Sequence, residues 1–332
     1  MNQEEPILVA IHCLVYNHEP YLRDCFEGFV MQKTNFRFVA IVHEDCSTDN
    51  SAAIIREYEA KYPDIFRPIY ETENQYSKHD GSLGRIMNEA IDATGAKYIA
   101  MCEGDDYWTD PYKLQKQVDI MESHPEYGCC CHRFVEYDER SKSFSSSDHW
   151  ASVITDKMTG FELNKENYFS IGLLPQILTT VYRRQVLESQ SQYQKINPRS
   201  QYDQSFFYAL VQVAPIWIIN QNMGVYRRHD GGVATSIKGT LRAPEKMYLT
   251  WKDIYEVYKT EDVKSLYIGN LSLYIYRYVK MADIICPEEM SALLKELGKI
   301  TSNAAMLHMY IRILRAYMIR FVNKIHKTNG TA

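Results

Sequence analysis

The sequence predicts an α/β fold with a mostly parallel, Rossmann-like central sheet, helices on both faces and a helical C-terminal extension. Short apolar runs alternate with helical patterns over residues 1–135, and polar motifs follow several of these runs. Strands that are apolar on both faces are typical of parallel sheets covered by helices. After Gly239 only helical patterns remain, rich in Tyr, Leu, Lys and Arg.

The individual elements follow from apolar periodicity and from capping residues. Residues 7–15 form an apolar run that predicts the first strand, and residues 21–31 place Leu22, Cys25 and Phe26 on one side of a helix. The sequence Ser47-Thr48-Asp49 supplies caps for a helix over 51–61. The other predicted elements are strands 36–42, 66–70, 98–102, 128–135, 177–182 and 216–219 and helices 84–94, 114–122 and 202–213.

The bulk composition excludes several classes of protein. The net charge is −5, and basic residues are not concentrated around the early motifs, which argues against a nucleic-acid partner. The eight cysteines lie mostly in apolar stretches, unlike a zinc site or a secreted disulfide framework. The acidic start of the chain does not resemble a signal peptide, and no apolar segment is long enough to cross a bilayer. These features favour a cytoplasmic protein.

The run 102–108 follows an apolar segment and holds three carboxylates within four positions, at Glu103, Asp105 and Asp106. Like charges this close repel one another, so the run indicates a bound cation. Oxygen ligands suit Mg²⁺ or Mn²⁺, and both ions share their coordination shell with substrate phosphates. A solvated acidic turn leading to Asp110 as the cap of the next helix is the alternative.

Two further polar motifs stand at predicted strand ends. Residues 16–19 follow the first strand, and residues 43–47 follow the second. In sheets of this kind ligands bind beyond the carboxyl ends of the strands, where the strand order reverses. We therefore expect these two motifs and the acidic run to converge in one cleft.

Three ordered blocks carry a resemblance to a known family. They are Tyr16-Asn17, then Glu44-Asp45-Cys46-Ser47-Thr48-Asp49-Asn50-Ser51, then Glu103-Gly104-Asp105-Asp106-Tyr107-Trp108 with Pro111, Lys113, Leu114 and Gln117. This order resembles the family-2 glycosyltransferases of the GT-A fold over about residues 6–235. The second block is similar to the family's D-D-G-S-x-D-x-S turn and the third to its D-x-D-D region, with Glu for the first Asp in both.

The resemblance implies an inverting transferase that moves a sugar from a nucleotide diphosphate sugar, most commonly a UDP-sugar, to a hydroxyl of a glycan or lipid-linked acceptor. It implies a domain over residues 1–238, with a nucleotide-sugar-binding half (1–135) and an acceptor or catalytic half (136–238), and an extension over 239–332. The implied setting is bacterial surface-polysaccharide assembly. The implied cofactor is Mn²⁺ or Mg²⁺.

Site residues transfer from the family position by position. Tyr16 would stack on the base, Asp45 with Glu44 would accept a hydrogen bond from it, and Glu103 would face the ribose. Asp105 would coordinate the metal. The implied nucleotide-sugar-binding residues are Tyr16, Asn17, Glu44, Asp45, Arg85, Asn88, Glu103, Asp106, Arg228 and His229, and the metal ligands are Asp105 and Asp106.

The implied chemistry needs one carboxylate to accept the acceptor's proton, and Asp203 stands at the family's position for it. Tyr202 replaces the acid that usually precedes it. Arg228 and His229 would close over the diphosphate, whose growing charge they would stabilise with the metal. Each of these residues also has a purely structural alternative. Asp203 would complement a helix macrodipole, and Arg228 and His229 would belong to a solvated turn.

Two other functions are weighed against this one. A sugar-phosphate nucleotidyltransferase would need a Gly-rich basic loop after the first strand, where residues 16–19 stand instead. The other alternative is a non-catalytic nucleotide-sugar-binding protein. However, Glu44 and Glu103 keep the carboxylates, so loss of the active site is not visible.

The segment 303–327 predicts a basic amphipathic helix. Its apolar stripe would pack on the core. Alternatively it would dock on an anionic membrane face, which would make the protein peripheral at the inner face of the plasma membrane.

Overall fold

The computed structural model describes residues 5–145, 153–171, 174–188, 192–197, 203–232, 235, 239–281, 286–302, 306 and 313. The chain divides into two compact units, one of Met1–Gln194 with Gln201–His229 and one of Lys195–Ser200 with Asp230–Ala332. Each unit is described by itself. The domain boundary after residue 238 stays a prediction.

The elements of the first unit alternate as expected in its N-terminal part. The described strands are β1 (Ile7–Val15), β2 (Arg37–Glu44), β3 (Phe66–Tyr70), β4 (Tyr98–Met101), β5 (Tyr107–Trp108), β6 (Cys129–Asp138), β7 (Ser143–Phe144), β8 (Gly160–Leu163), β9 (Val181–Arg183) and β10 (Ile216–Arg228). The described helices are α1 (Leu22–Val30), α2 (Ser51–Lys61), α3 (Ser82–Asp92), α4 (Lys113–Ser123), α5 (Tyr168–Ile171), α6 (Arg184–Glu188) and α7 (Asp203–Val213).

The strands form one sheet in the order β3-β2-β1-β4-β9-β6-β10-β5, with β7 on β6 and β8 on β10. The pairs from β3 to β4 are parallel, as the apolar runs predicted. Beyond β4 the sheet is mixed, because β9 runs antiparallel to both neighbours while β10 is parallel to β6. The strand order reverses at β1, which lies between β2 and β4, so the predicted cleft opens at its carboxyl end.

An aromatic cluster fixes the acidic run to this sheet. Phe29 of α1 packs against Trp108 with ring centroids 4.9 Å apart, and Phe26 packs against Phe66 at the same spacing. The Trp108 indole N–H also donates to the carbonyl of Leu178 at 2.8 Å. Full burial of each such ring stabilises the fold by about 1.5 to 3 kcal/mol. The two-residue strand that follows the carboxylates is therefore anchored in the core.

Two predicted strands differ from the structure. Residues 177–182 form a 3-10 helix, Ile177–Thr179, before β9 begins, because the carbonyl of Gln176 accepts the Thr179 N–H at 3.0 Å. The strand predicted over 216–219 continues to Arg228. The polar residues that follow Ile219 coincide with two register shifts against β6, and the Asn220 side chain donates to the carbonyls of Thr155 and Met158.

The main described elements of the second unit are the helices α8 (Arg242–Tyr258), α9 (Glu261–Met281) and α10 (Pro287–Ile300). Tyrosines pack it together: Tyr248 stacks on Tyr274 at 5.1 Å, and the hydroxyls of Tyr274 and Tyr278 donate to Glu289. None of the described helices combines the length and apolar character needed to cross a membrane. The predicted amphipathic helix over 303–327 lies outside the described residues except at Met306 and Ile313.

Candidate functional site

Reciprocal hydrogen bonds join the loops that follow β1 and β2. The backbone N–H groups of Asn17 and His18 donate to the hydroxyls of Ser47 and Ser51, each at 3.0 Å. In return, the side-chain oxygen of Asn17 accepts the Thr48 N–H at 2.7 Å. Asn17 has a φ of 56°, a left-handed conformation that asparagine tolerates better than most residues. Asn17 therefore shapes the loop on which the predicted base-stacking residue stands.

The predicted base-binding residues lie at these strand ends. Tyr16 is 45% exposed, as a ring that stacks on a ligand must be. Glu44 is buried, and its Oε1 accepts a backbone N–H three residues further on at 2.6 Å. The two carboxylate oxygens of Asp45 accept the N–H groups of Gln75 and Tyr76, at 2.6 and 3.0 Å. Both acids thus stabilise loops here, and their contact with a base stays a prediction.

The three carboxylates of the acidic run come together beyond β4. One ligand oxygen each from Glu103, Asp105 and Asp106 lies within 4.8 Å of the others. Burial, and then the charge of Asp105, raise the pKa of the Asp106 carboxyl well above its usual value. The Oδ1 atom of Asp105 is buried without a hydrogen-bond partner in the part of the chain that the structure describes. A divalent cation would relieve both conditions, so these residues fit a metal site.

Two histidines face the Asp105 carboxylate. The Nε2 atom of His229 lies 3.0 Å from Oδ2 of Asp105, and that of His18 lies 3.9 Å from the same oxygen. Burial alone would raise the pKa of Asp105, but the hydrogen bond from His229 and the charge of His18 outweigh it, so the pKa is lowered. Gly104 makes room for this arrangement, because a Cβ atom there would lie 2.8 Å from the His18 ring. His18 is a site residue that the sequence reasoning missed.

Arg227 is a second missed residue, and it links β10 to the acidic run. Its backbone N–H donates to Oδ1 of Asp106 at 2.8 Å, and its Nε donates to the carbonyl of Asp105 at 2.9 Å. The guanidinium also pairs with Asp24 and Glu139. The residue is only 7% exposed. The alternation of a β-strand, which turns residues 227 and 229 to one face and 228 to the other, is the signal that could have found it.

The same guanidinium is held between aromatic rings. Its carbon lies 4.9 Å from the Tyr21 ring centroid and 5.0 Å from that of Tyr107. Cation–π contacts at desolvated sites stabilise by about 2 kcal/mol. Arg227 therefore joins the acidic run, α1 and β10 in one rigid cluster.

Three predicted binding residues have no hydrogen bond or ion pair to this cluster among the described residues. Arg228 is exposed and pairs with Glu136. Arg85 pairs with Glu89 one turn along α3, and Asn88 is exposed on the same helix. Their part in binding stays a prediction that requires movement or a bound ligand.

Asp203 is exposed at the first residue of α7, close to the position predicted for its helix. The structure relates it to the acidic run through Tyr226. Burial raises the pKa of Tyr226, and the negative charges of Asp106, Asp105, Glu103 and Asp203 raise it further. One hydroxyl group therefore lies within electrostatic reach of both the acidic run and the predicted catalytic carboxylate.

The sheet order, the cleft at β1 and the acidic cluster together are those of a GT-A type α/β fold. The chain belongs to glycosyl transferase family 2, whose family model matches residues 11–188, more than half of its 332 residues. The family that the three sequence blocks predicted is therefore confirmed. The family assignment replaces the nucleotidyltransferase alternative.

The chain is also similar to individual relatives and solved structures. An uncharacterized protein of Mycobacterium tuberculosis is 41% identical over 137 residues, which cover 40% of this chain and 37% of that relative. Among solved structures, Staphylococcus aureus TarS 1–349 in complex with UDP-GlcNAc matches with a TM-score of 0.65 at 15% identity, covering 97% of this chain and 92% of that one. The mannosyltransferase PcManGT of Pyrobaculum calidifontis, in complex with GDP-Man and Mn²⁺, matches with a TM-score of 0.51 at 11% identity, covering 96% and 87%. The predicted GT-A fold with a helical C-terminal region is thus confirmed.

Proposed function

We propose that this protein is an inverting, metal-dependent glycosyltransferase that transfers a sugar from a nucleotide diphosphate sugar to a hydroxyl of a glycan or lipid-linked acceptor. The observation that carries the proposal is the cluster of Glu103, Asp105 and Asp106 at the carboxyl edge of the parallel part of the sheet, the same edge at which the exposed Tyr16 follows β1. Bacterial surface-polysaccharide assembly at the inner face of the plasma membrane is the setting that belongs to the same proposal.

The donor binds, in this proposal, across the ends of β1, β2 and β4. The base stacks on Tyr16, and Glu103 faces the ribose. We place a UDP-sugar first, which the UDP-GlcNAc complex of the similarly folded TarS supports. The GDP-Man complex of PcManGT, in the same fold, makes a GDP-sugar the second donor to test.

Asp105, with Asp106, would hold a Mn²⁺ or Mg²⁺ ion. When bound, such an ion neutralises charge on the leaving diphosphate. His229 hydrogen-bonds to Oδ2 of Asp105 and so orients that carboxylate. Arg227 keeps both aspartates in register with β10, through its N–H to Asp106 and its Nε to the carbonyl of Asp105.

Asp203 is the proposed general base. Asp203 is exposed at the start of α7, and its carboxylate would take the acceptor's proton as the acceptor oxygen attacks the anomeric carbon. Attack from the face opposite the leaving diphosphate inverts the anomeric configuration in one step. No covalent sugar intermediate is then required.

The proposal is tested with purified protein and a panel of UDP- and GDP-sugars, with Mn²⁺, with Mg²⁺ and with chelator. We expect hydrolysis or transfer with at least one donor that depends on the metal. Asp105→Asn should abolish metal-dependent donor binding by calorimetry, whereas Asp119→Asn, an exposed acid on α4, should not change it. Donor binding of wild-type strength in Asp105→Asn would show that the metal assignment is wrong.

A further inference from the structure

A second exposed tyrosine stands beside the proposed base site. Tyr76 is 44% exposed, almost the same fraction as Tyr16 at 45%. It opens the 3-10 helix Tyr76–Lys78, which follows β3 at the edge of the sheet. A large ring left half in water at the mouth of a cleft is more informative than a scattered surface residue, because aromatic rings are the usual platforms for nucleotide bases.

The position of Tyr76 is set by Asp45. The Tyr76 backbone N–H donates to Oδ2 of Asp45 at 3.0 Å, and the side chain of Asn74 donates to the Asp45 carbonyl at 3.1 Å. The Asp45 N–H donates in turn to the carbonyl of Val15 at 2.9 Å, one residue before Tyr16. One buried acid therefore connects the segment after β3 to the end of β1.

A further backbone hydrogen bond ties the segment before Tyr76 to the end of β2, since the Glu71 N–H donates to the carbonyl of Glu44 at 3.0 Å. Burial raises the pKa of the Tyr76 hydroxyl, and among the described residues the negative charge of Glu103, which follows β4, adds to the shift. In the sheet β1 lies between β2 and β4. Tyr76 is therefore tethered at the end of β2, next to the end of β1, where Tyr16 stands.

We propose that Tyr76 forms a second aromatic wall of the base site, so that the nucleotide base lies between the rings of Tyr16 and Tyr76. Asp45 then acts as a positioning residue that holds Tyr76, since both of its oxygens are occupied by backbone N–H groups. This inference rests on the proposed function, because it needs a nucleotide in the cleft.

The test compares a nucleotide with a ligand that lacks the base. UDP, GDP and inorganic pyrophosphate are titrated with Mn²⁺ into wild type, Tyr76→Ala, Tyr76→Phe and Tyr112→Ala. Tyr112 is the matched control, because it is 48% exposed and lies beside Lys33, away from the cleft. Tyr76→Ala should weaken the preferred nucleotide about tenfold or more, the scale of one base stacking on one ring, and leave pyrophosphate unchanged. Tyr76→Phe keeps the ring and should bind as wild type.

The outcomes distinguish a failure of the Tyr76 inference from a failure of the proposed function. If wild type binds neither nucleotide, the proposed function fails. If wild type binds one and Tyr76→Ala binds it equally well, the second wall does not exist. An equal loss of nucleotide and pyrophosphate in Tyr76→Ala would also overturn the inference, since it would show that the loop, and not the ring, was needed.

Discussion

Lys113 packs against Trp108, the last residue of the acidic run, and its burial predicts how the stability of the protein depends on pH. The side chain is fully buried, its ammonium lies 3.9 Å from the Trp108 ring centroid, and its Nζ atom has no hydrogen-bond partner among the described residues. Burial lowers its pKa from the ordinary 10.5 to about 7. The perturbation is Lys113→Met, which keeps the length of the chain and removes the amine.

The sign of the pH dependence of stability follows from the number of protons bound in the folded and unfolded states. Between about pH 7 and the ordinary pKa of 10.5, the unfolded chain holds a proton on Lys113 that the folded protein has released. Stability therefore rises with pH in this window and does not depend on this group below it. The slope is up to about 1.4 kcal/mol per pH unit, so the whole window amounts to about 5 kcal/mol at most.

The assay is urea unfolding of wild type and Lys113→Met at several pH values from about 6 to 9. We expect the difference in unfolding free energy, wild type minus variant, to be constant below about pH 7 and to grow in favour of wild type above it. Lys116→Met is the control, because Lys116 is half-exposed on the same helix and pairs with Asp110. A difference that stays constant up to pH 9 would show that Lys113 keeps an ordinary pKa and that burial does not lower it.

Three further predictions concern the site and the tail. Asp203→Asn should lower transfer by roughly 100-fold or more while donor affinity stays within a factor of two or so, measured by initial rates and calorimetry; a near-normal rate would move the base elsewhere. Arg227→Met should weaken Mn²⁺ binding at least ~10-fold by electron paramagnetic resonance, whereas Arg228→Met should not; equal affinities in both variants would refute the positioning role. Full-length protein should sediment with anionic liposomes at low salt and release at high salt, and truncation after Ser302 should prevent this; an insoluble truncation and no liposome binding by the full chain would instead place 303–327 on the core.

Part of the fold could be read from the sequence because local and tertiary signals agree there. The strand over 7–15, the helix over 51–61 and the strand over 66–70 have the predicted bounds. The predictions of secondary structure fail where tertiary contacts determine the backbone conformation. Asn220 looks like a turn residue, yet backbone carbonyls of another segment satisfy its side chain and the strand continues. The local sequence does not predict such distant hydrogen-bond partners.

The same division applies to the site. The acidic run was predicted because carboxylates at a strand end have few structural explanations, and the structure gathers Glu103, Asp105 and Asp106 together. Arg227 was missed because two adjacent arginines suggest a solvated turn. Its burial depends on Asp24 and Glu139, which lie far from it in the sequence and neutralise its charge. Proximity of that kind is visible only in three dimensions.

The paired loops after β1 and β2 limit how this protein can change. The Ser47 hydroxyl accepts the Asn17 N–H, and the Asn17 side chain accepts the Thr48 N–H. A substitution at Asn17 or at Ser47 therefore leaves a backbone donor of the other loop without its partner. Residues 16–19 and 47–51 should therefore vary together among relatives. An attempt to change the donor preference of this protein should replace both loops together. A single grafted loop would lack the hydrogen-bond partners that fix its conformation.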